Sequence, residues 1–236
     1  MKSDLVEKLK PIIDAYNVLV KGIEVKARNS QERAYGGIIR AGKGKLVESI
    51  GKELIKISWE ELGRDLKRIS FSSKIVKVPI NKAYLNRIKS KEVREYIQNN
   101  IKDFYYPLKS DIHLFIDDEF KMAVECKAYT ENAMLKRILV DFTLLKQVYP
   151  KLKFVLLQLE SQLGGDYSSG KLIKYGSPST HTLLSYFDID LNIITLLEGE
   201  RKVERPIHKP QFFKPLKISA LINAVDVFKE LLKEFK

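Results

Sequence analysis

Apolar and polar positions alternate most clearly between Asp111 and Ala128. Phe120, Met122, Val124, Cys126 and Ala128 fall on one side of a strand, and Lys121, Ala123, Glu125 and Lys127 on the other, because successive strand side chains point to opposite faces. Glu125 and Lys127 therefore share a face. The preceding run sets Ile112, Leu114 and Ile116 against Asp111, His113 and Phe115, and the polar trio Asp117, Asp118 and Glu119 separates the two runs as a turn. A three-residue loop pairs Ile116 with Phe120 and Asp111 with Glu125. Residues opposed in this way have Cβ atoms ~4.5–5.5 Å apart, close for two carboxylates unless something cationic lies between them.

The rest of the chain reads mostly at helical spacing. Leu5, Leu9, Ile12, Ile13, Tyr16, Leu19 and Val20 mark a docking helix over 4–20 despite Pro11. Residues 21–45 are rich in base and glycine, either a solvated loop or an arm that grips phosphate. A long amphipathic helix begins at Leu46 and carries Val47, Ile50, Leu54 and Ile57, with Trp59 near its end and Leu62 beyond. Ser70–Ser73 resembles a turn, 74–80 a strand, and 81–101 helical pieces. After Lys127 a helix over 131–148 places Leu135, Ile138, Leu139, Phe142 and Leu145 in register and stops before Pro150. KFVLLQL at 153–159 then has the continuous apolar character of a buried strand. A polar insertion over 160–182, strands at 183–187 and 192–197, and a basic, aromatic segment over 199–215 follow. The last helix, from about Leu216, repeats Leu221, Val225, Phe228, Leu232 and Phe235, a stripe that suits core packing or a homodimer seam.

Composition narrows the class. At 236 residues and 44% hydrophobic the chain can bury one substantial core and is expected to form a single α/β domain. Its 42 Lys and Arg against 30 Asp and Glu leave a net charge of +12, which favours a polyanionic partner. One cysteine excludes a disulfide framework or a cysteine-based zinc site and suits a reducing cytoplasm. Neither a secretory leader nor a membrane span is expected. Gly165–Lys171 matches GxxxxGK, but Leu172 stands where a phosphate-binding loop needs Ser or Thr.

The acid pair calls for a cation. Oxygen ligands on a short hairpin suit Mg²⁺, with Mn²⁺ as a substitute. Asp111, thirteen intervening residues, then Glu125-Cys126-Lys127 in an apolar strand resembles the PD-(D/E)xK nuclease superfamily, whose best-known members are type II restriction endonucleases. Ser110 takes the position that is often proline there, with Pro107 slightly upstream. The resemblance implies a restriction-endonuclease-like core, a central mixed β-sheet flanked by α-helices and carrying DNA-recognition insertions. It also implies phosphodiester hydrolysis, with Asp111, Glu125 and the Cys126 carbonyl on the metal and Lys127 orienting or helping to deprotonate water. A further glutamate on an N-terminal helix is common in that superfamily, and Gly44-Lys45-Leu46-Val47-Glu48 is similar, so Glu48 is a candidate metal or water ligand, with Glu53 the other helix acid.

On this reading the cations and donors outside the hairpin contact DNA: Arg28, Arg33, Arg40, Lys43 and Lys45 in the arm; Tyr167, Ser168, Lys171, Lys174, Ser179, Thr180 and His181 in the polar insertion; and Arg201, Lys202, Arg205, His208 and Lys209 in the basic segment. His113 shares the face of Asp111 and fits a surface or supporting role better than ligation. The expected function is Mg²⁺-dependent, sequence-specific cleavage of duplex DNA by a homodimer. The alternatives are a structure-specific nuclease such as a junction resolvase or repair nuclease, and a non-catalytic DNA-binding protein of the same fold.

Overall fold

A computed structural model describes residues 2–27, 32–165, 167 and 176–235. Two long helices, α1 (Lys2–Ala27) and α2 (Glu32–Glu61), lead into strand β1 (Ile69–Ser72). An excursion follows, made of β2 (Val76–Pro79), α3 (Lys82–Leu85), α4 (Lys91–Asn99) and β3 (Tyr105–Leu108). Then come β4 (Ile112–Ile116), β5 (Glu119–Glu131), α5 (Asn132–Val148), β6 (Lys153–Gln162), α6 (Pro178–Ser185), β7 (Leu191–Thr195) and α7 (Ile218–Leu232).

The central sheet has the order β1-β4-β5-β6-β7. The β1–β4 and β4–β5 pairs are antiparallel, and β5–β6 and β6–β7 are parallel. Helix α5 makes the crossover that two adjacent parallel strands require. Apolar side chains leave both faces of the sheet, so both must be covered. Leu9 and Tyr16 of α1, Leu46 and Leu54 of α2 and Leu221 and Phe228 of α7 pack one face, against Ile112, Leu114, Val124, Cys126, Val155 and Leu157. Leu135, Leu139 and Phe142 of α5 pack the other, against Ala123, Phe154 and Leu156. The result is a three-layer mixed α/β fold.

Several expectations change. The basic arm over 21–45 is helical through most of its length, since α1 continues to Ala27 and α2 starts at Glu32. Its glycines are tolerated because α2 packs against α1 and the sheet, and packing outweighs a propensity deficit of about 1 kcal/mol per glycine. Ser70–Ser73 is largely strand rather than turn: β1 pairs with β4 from Ile69↔Ile116 to Ser72↔His113. Residues 183–187 belong mainly to α6, which Ser177 caps by accepting from the Thr180 N–H with Pro178 in the first turn, a strong start signal. The α7 stripe is not free for a dimer seam, because Leu221, Val225, Phe228 and Leu232 are all fully buried within the chain.

Candidate active site

The hairpin closes more tightly than a three-residue loop. Ile116 pairs with Glu119, and the turn is Asp117-Asp118 alone, both in the left-handed region with φ of 50° and 62°. These are the conformations of a two-residue hairpin turn, and aspartate tolerates them better than most residues. Arg68 holds the turn through both Asp117 carboxylate oxygens, at 2.9 and 2.5 Å. The ladder then shifts: Phe115 pairs with Phe120 but Leu114 with Met122, so Lys121 is the extra residue of a bulge. Past the bulge the pairing is Ile112↔Val124, and one further step puts Asp111 opposite Glu125. Loop and bulge errors cancel, and the acids stand where the alternation predicts.

The three side chains meet. Lys127 Nζ lies 3.0 Å from Asp111 Oδ2 and 2.5 Å from Glu125 Oε2, while the Cys126 N–H donates to Asp111 Oδ2 at 2.7 Å. Glu125 is only 7% exposed. Burial, reinforced by the nearby Asp111 charge and only partly offset by Lys127, pushes its carboxyl up to about 7. Burial also acts to raise Asp111, but the Lys127 charge and the Cys126 amide outweigh it and hold that carboxyl below the usual range. Desolvation works against the Lys127 ammonium, yet Glu125 and Asp111 together raise it above an ordinary lysine. The ammonium thus answers a concentration of negative charge on a rigid hairpin. The Cys126 thiol is buried toward α2 and raised well above its ordinary value, first by burial and then by the carboxylates. A side chain in that state supplies no thiolate.

Neighbouring groups steady this arrangement. His113 is buried, not at the surface: its Nε2 accepts from the Ser110 N–H at 3.2 Å and its ring lies 4.6 Å from that of Phe120. Burial, with Lys109 adding, lowers it to about 4, so the ring is neutral and able to accept. It fixes the backbone just before Asp111. Glu48 sits on α2 and pairs with Lys52 at 2.6 Å. Among the described residues no three His, Cys, Asp or Glu side chains form a metal-binding cluster, while the Glu48 charge acts on the Cys126 thiol from the α2 side of the hairpin. Glu53 pairs with Lys56 on the surface.

The residues expected to touch DNA divide into groups. Arg28, Ser168, Lys171 and Lys174 lie outside the described residues, as do the side chains of Arg33 and Arg40. Lys43 and His208 are buried, with Lys43 Nζ 3.2 Å from His208 Nδ1. Thr180 is buried too, its hydroxyl bonded to Leu163 O and Asn132 Oδ1. Arg201 stacks 3.7 Å from the Tyr129 ring centroid and reaches Gln162. These four turn inward and brace the far end of the sheet, because each finds a polar or aromatic partner there. Lys45, Ser179, His181, Lys202, Arg205 and Lys209 are exposed, and Tyr167 is half-buried.

No protein-family model matches the chain. It is 49% identical over 239 residues to the type II restriction enzyme DdeI of Desulfomicrobium norvegicum, an alignment that takes in 99% of this chain and all of that protein. The chain belongs to the type II restriction enzyme family. A solved structure, native BbvCI A2B2 tetramer at low resolution, aligns over 99% of this chain and 92% of its own at 14% identity with a TM-score of 0.38, too loose a likeness to carry weight. The chain is thus a restriction endonuclease, and the readings as a junction resolvase, a repair nuclease or a non-catalytic binder fall away.

Alternation alone does not point to three residues of this restriction enzyme. Gly51 of α2 lies directly behind the hairpin: a Cβ there would stand 2.9 Å from Leu157 Cδ2, 3.0 Å from Ile112 Cδ1 and 3.7 Å from Cys126 Sγ. Its signal in the sequence is a glycine interrupting an otherwise good helix. Gln158 is paired in register with Lys127 across the parallel ladder and donates to Thr195 Oγ1 at 2.9 Å. Asp141 of α5 is raised, mainly by burial, against the opposing charges of Arg137 and Lys127.

Proposed function

We propose that this restriction enzyme is a member of the PD-(D/E)xK superfamily that cuts specific sequences in duplex DNA with Mg²⁺, using Asp111, Glu125 and Lys127. The observation that carries the reading is the convergence of two carboxylates and one ammonium on a buried hairpin, with the ammonium in reach of both opposed acids. Two acids sharing one ammonium, one of them pushed up to about 7, form an all-oxygen site with a demand for more positive charge. That donor chemistry fits Mg²⁺, which takes one or two protein carboxylates and keeps several waters. Asp111, Glu125 and the Cys126 carbonyl would hold the ion. When bound it polarises the phosphoryl group and offsets charge on the leaving oxygen.

The chain's own residues do the rest. Asp111 is held ionised by Lys127 and the Cys126 amide, and is ready as an anionic ligand at neutral pH. Lys127 keeps its proton in this arrangement, so it serves as a charged donor that orients the attacking water. His113 and the Cys126 N–H fix Asp111 in position, and α2 and α5 cover the two faces of the hairpin. Reading and cutting both strands of a palindrome calls for two copies related by a two-fold axis, so the working form is a homodimer whose seam lies away from the α7 stripe.

Plasmid DNA incubated with Mg²⁺ or with EDTA tests the assignment. Discrete fragments with ends of one sequence are expected with Mg²⁺ and none with EDTA. Asp111→Ala and Lys127→Ala should each abolish cutting and keep DNA binding; unchanged cleavage by both variants refutes the site.

A further inference from the structure

The excursion between β1 and β4 is the part of the chain whose role the hairpin does not explain. Residues 74–109 carry nine Lys and Arg against three Asp and Glu, so 36 residues hold half of the net charge of +12. Their folding adds little core. Only Val78, Leu85, Ile97 and Leu108 are buried, and Val78 and Leu108 anchor the small β2–β3 sheet to the α5 layer. Exposed apolar groups collect there as well. Of the fourteen large hydrophobic side chains exposed among the described residues, seven belong to this segment, including Tyr84, Tyr96, Tyr105 and Tyr106 at 47%, 64%, 38% and 55% exposure. A concentration of this kind on an ordered segment marks a binding surface.

The aromatic groups stand beside cations. Lys77 Nζ lies 4.3 Å from the Tyr105 ring centroid and the Arg87 guanidinium 6.0 Å from that of Tyr84. In an antiparallel ladder Lys77 opposes Pro107 and Pro79 opposes Tyr105, so Lys77 and Tyr105 share the face turned away from buried Val78. Stacked cation and ring pairs of this sort combine phosphate attraction with a flat apolar surface for sugars and bases. Both ends of the excursion also return to the active site. Ser72, where it departs, pairs with His113, and Leu108, where it rejoins, precedes Asp111 by three residues.

We propose that residues 74–109 form the enzyme's principal DNA-docking surface, with the Lys77–Tyr105 and Arg87–Tyr84 pairs seated on the substrate duplex beside the scissile phosphate. This rests on the restriction reading above and names the surface that reading requires. Duplex DNA is favoured over a protein partner because the segment is so strongly basic and because its ends flank Asp111. The basic segment 199–215 has its Arg201, His208 and Lys214 turned onto Tyr129, Lys43 and Glu160, which leaves it fewer cations to present.

The test is binding by the full chain, in EDTA, of a linear duplex that the wild type cuts in Mg²⁺, followed by fluorescence anisotropy across a salt series. Lys77→Ala with Arg87→Ala should weaken binding at least tenfold and reduce the slope of log affinity on log salt by about two, one for each phosphate left without its cation. Tyr105→Ala should weaken binding with little change in slope. Lys10→Ala with Lys233→Ala, which removes the same charge elsewhere, should change neither by as much. Full affinity and slope in the Lys77/Arg87 variant overturn the proposal, as does an equal loss in the Lys10/Lys233 control. A Lys77/Arg87 variant that binds normally but changes the oligomeric state in sedimentation makes the surface a contact between copies and also overturns it. Failure of the wild type to cut any plasmid refutes the restriction reading instead, so the two failures are distinguishable.

Discussion

Gly51 and Gly44 lie on the same helix, and replacing each by alanine should move stability in opposite directions. In a helix interior alanine is favoured over glycine by about 0.5–1 kcal/mol through backbone entropy. A Cβ at Gly44 would meet nothing within 4 Å, so Gly44→Ala should show that gain undiminished. At Gly51 the added carbon would stand 2.9 Å from Leu157 Cδ2 and 3.0 Å from Ile112 Cδ1, and both side chains are fully buried. Forcing an extra carbon into such packing costs about 1–3 kcal/mol. The balance leaves Gly51→Ala less stable than wild type by about 1 kcal/mol, which for a chain of this size is a fall in Tm of about 2–4 °C. Urea unfolding of the two variants beside the wild type measures the difference, read at unchanged m-value. Trimming the nearer obstacle with Leu157→Val should remove part of the penalty, so that Gly51→Ala is less destabilising in that background, with Ile112 Cδ1 still 3.0 Å away. If Gly51→Ala stabilises the wild-type protein as Gly44→Ala does, α2 is not pressed against the sheet at Leu157 and Ile112.

Other expectations follow from the charges. Burial lowers Lys43 to about 8, with Arg201 adding to the shift and Glu160 opposing it. The unfolded chain, with an ordinary lysine near 10.5, therefore binds more protons between pH 8 and 10.5, and stability contributed by this group rises with pH across that window. The cost of burying the cation, about 3 kcal/mol below pH 8 on a scale of 1.36 kcal/mol per unit, is absent from Lys43→Met. Unfolding free energies of the two proteins should shift relative to each other in favour of the wild type from pH 8 to 10.5, and a constant difference would sink the assignment. Glu125, pushed up to about 7, takes a proton below that pH and competes with a metal. The Kd for Mg²⁺ measured calorimetrically on the DNA-free protein should accordingly rise by up to about tenfold per pH unit on going below 7, whereas a Kd flat from pH 5 to 8 contradicts the ligand role.

Much of the site is legible in the sequence because the strand period is short and strict. Alternation over Met122–Ala128 suffices to put Glu125 and Lys127 on one face, although the bulge at Lys121 turns Phe120 away from the Met122 side and onto His113 and Phe115; the helix and apolar strand that follow supply the parallel neighbour. The turn is less legible, since nothing in Asp117-Asp118-Glu119 announces two aspartates with positive φ, and the bulge at Lys121 depends on the twist of the assembled sheet. The arm over 21–45 misleads because glycine and lysine are loop-like only where packing does not intervene. Lys43 and His208 mislead for a related reason, as a cation in a basic run looks solvated until its buried partners are placed around it. Residues 183–187 show the ambiguity of a short apolar run, which periodicity alone does not assign to strand or helix; the Ser177-Pro178 start signal resolves it. The excursion over 74–109 is nearly silent to a search for cores because it buries so few of its residues.

The chemistry comes down to whether phosphodiester cleavage runs through Asp111 and Lys127. Single-turnover cleavage of a plasmid by saturating enzyme in Mg²⁺, compared among wild type, Asp111→Asn and Lys127→Met, isolates that step from DNA binding. Both variants preserve side-chain size while removing one charge from the cluster. Loss of at least about 1,000-fold in rate, roughly 4 kcal/mol of barrier, with the duplex still bound, is the expected result. Rates within a few-fold of wild type in both variants would show that the hairpin is not where the bond is cut.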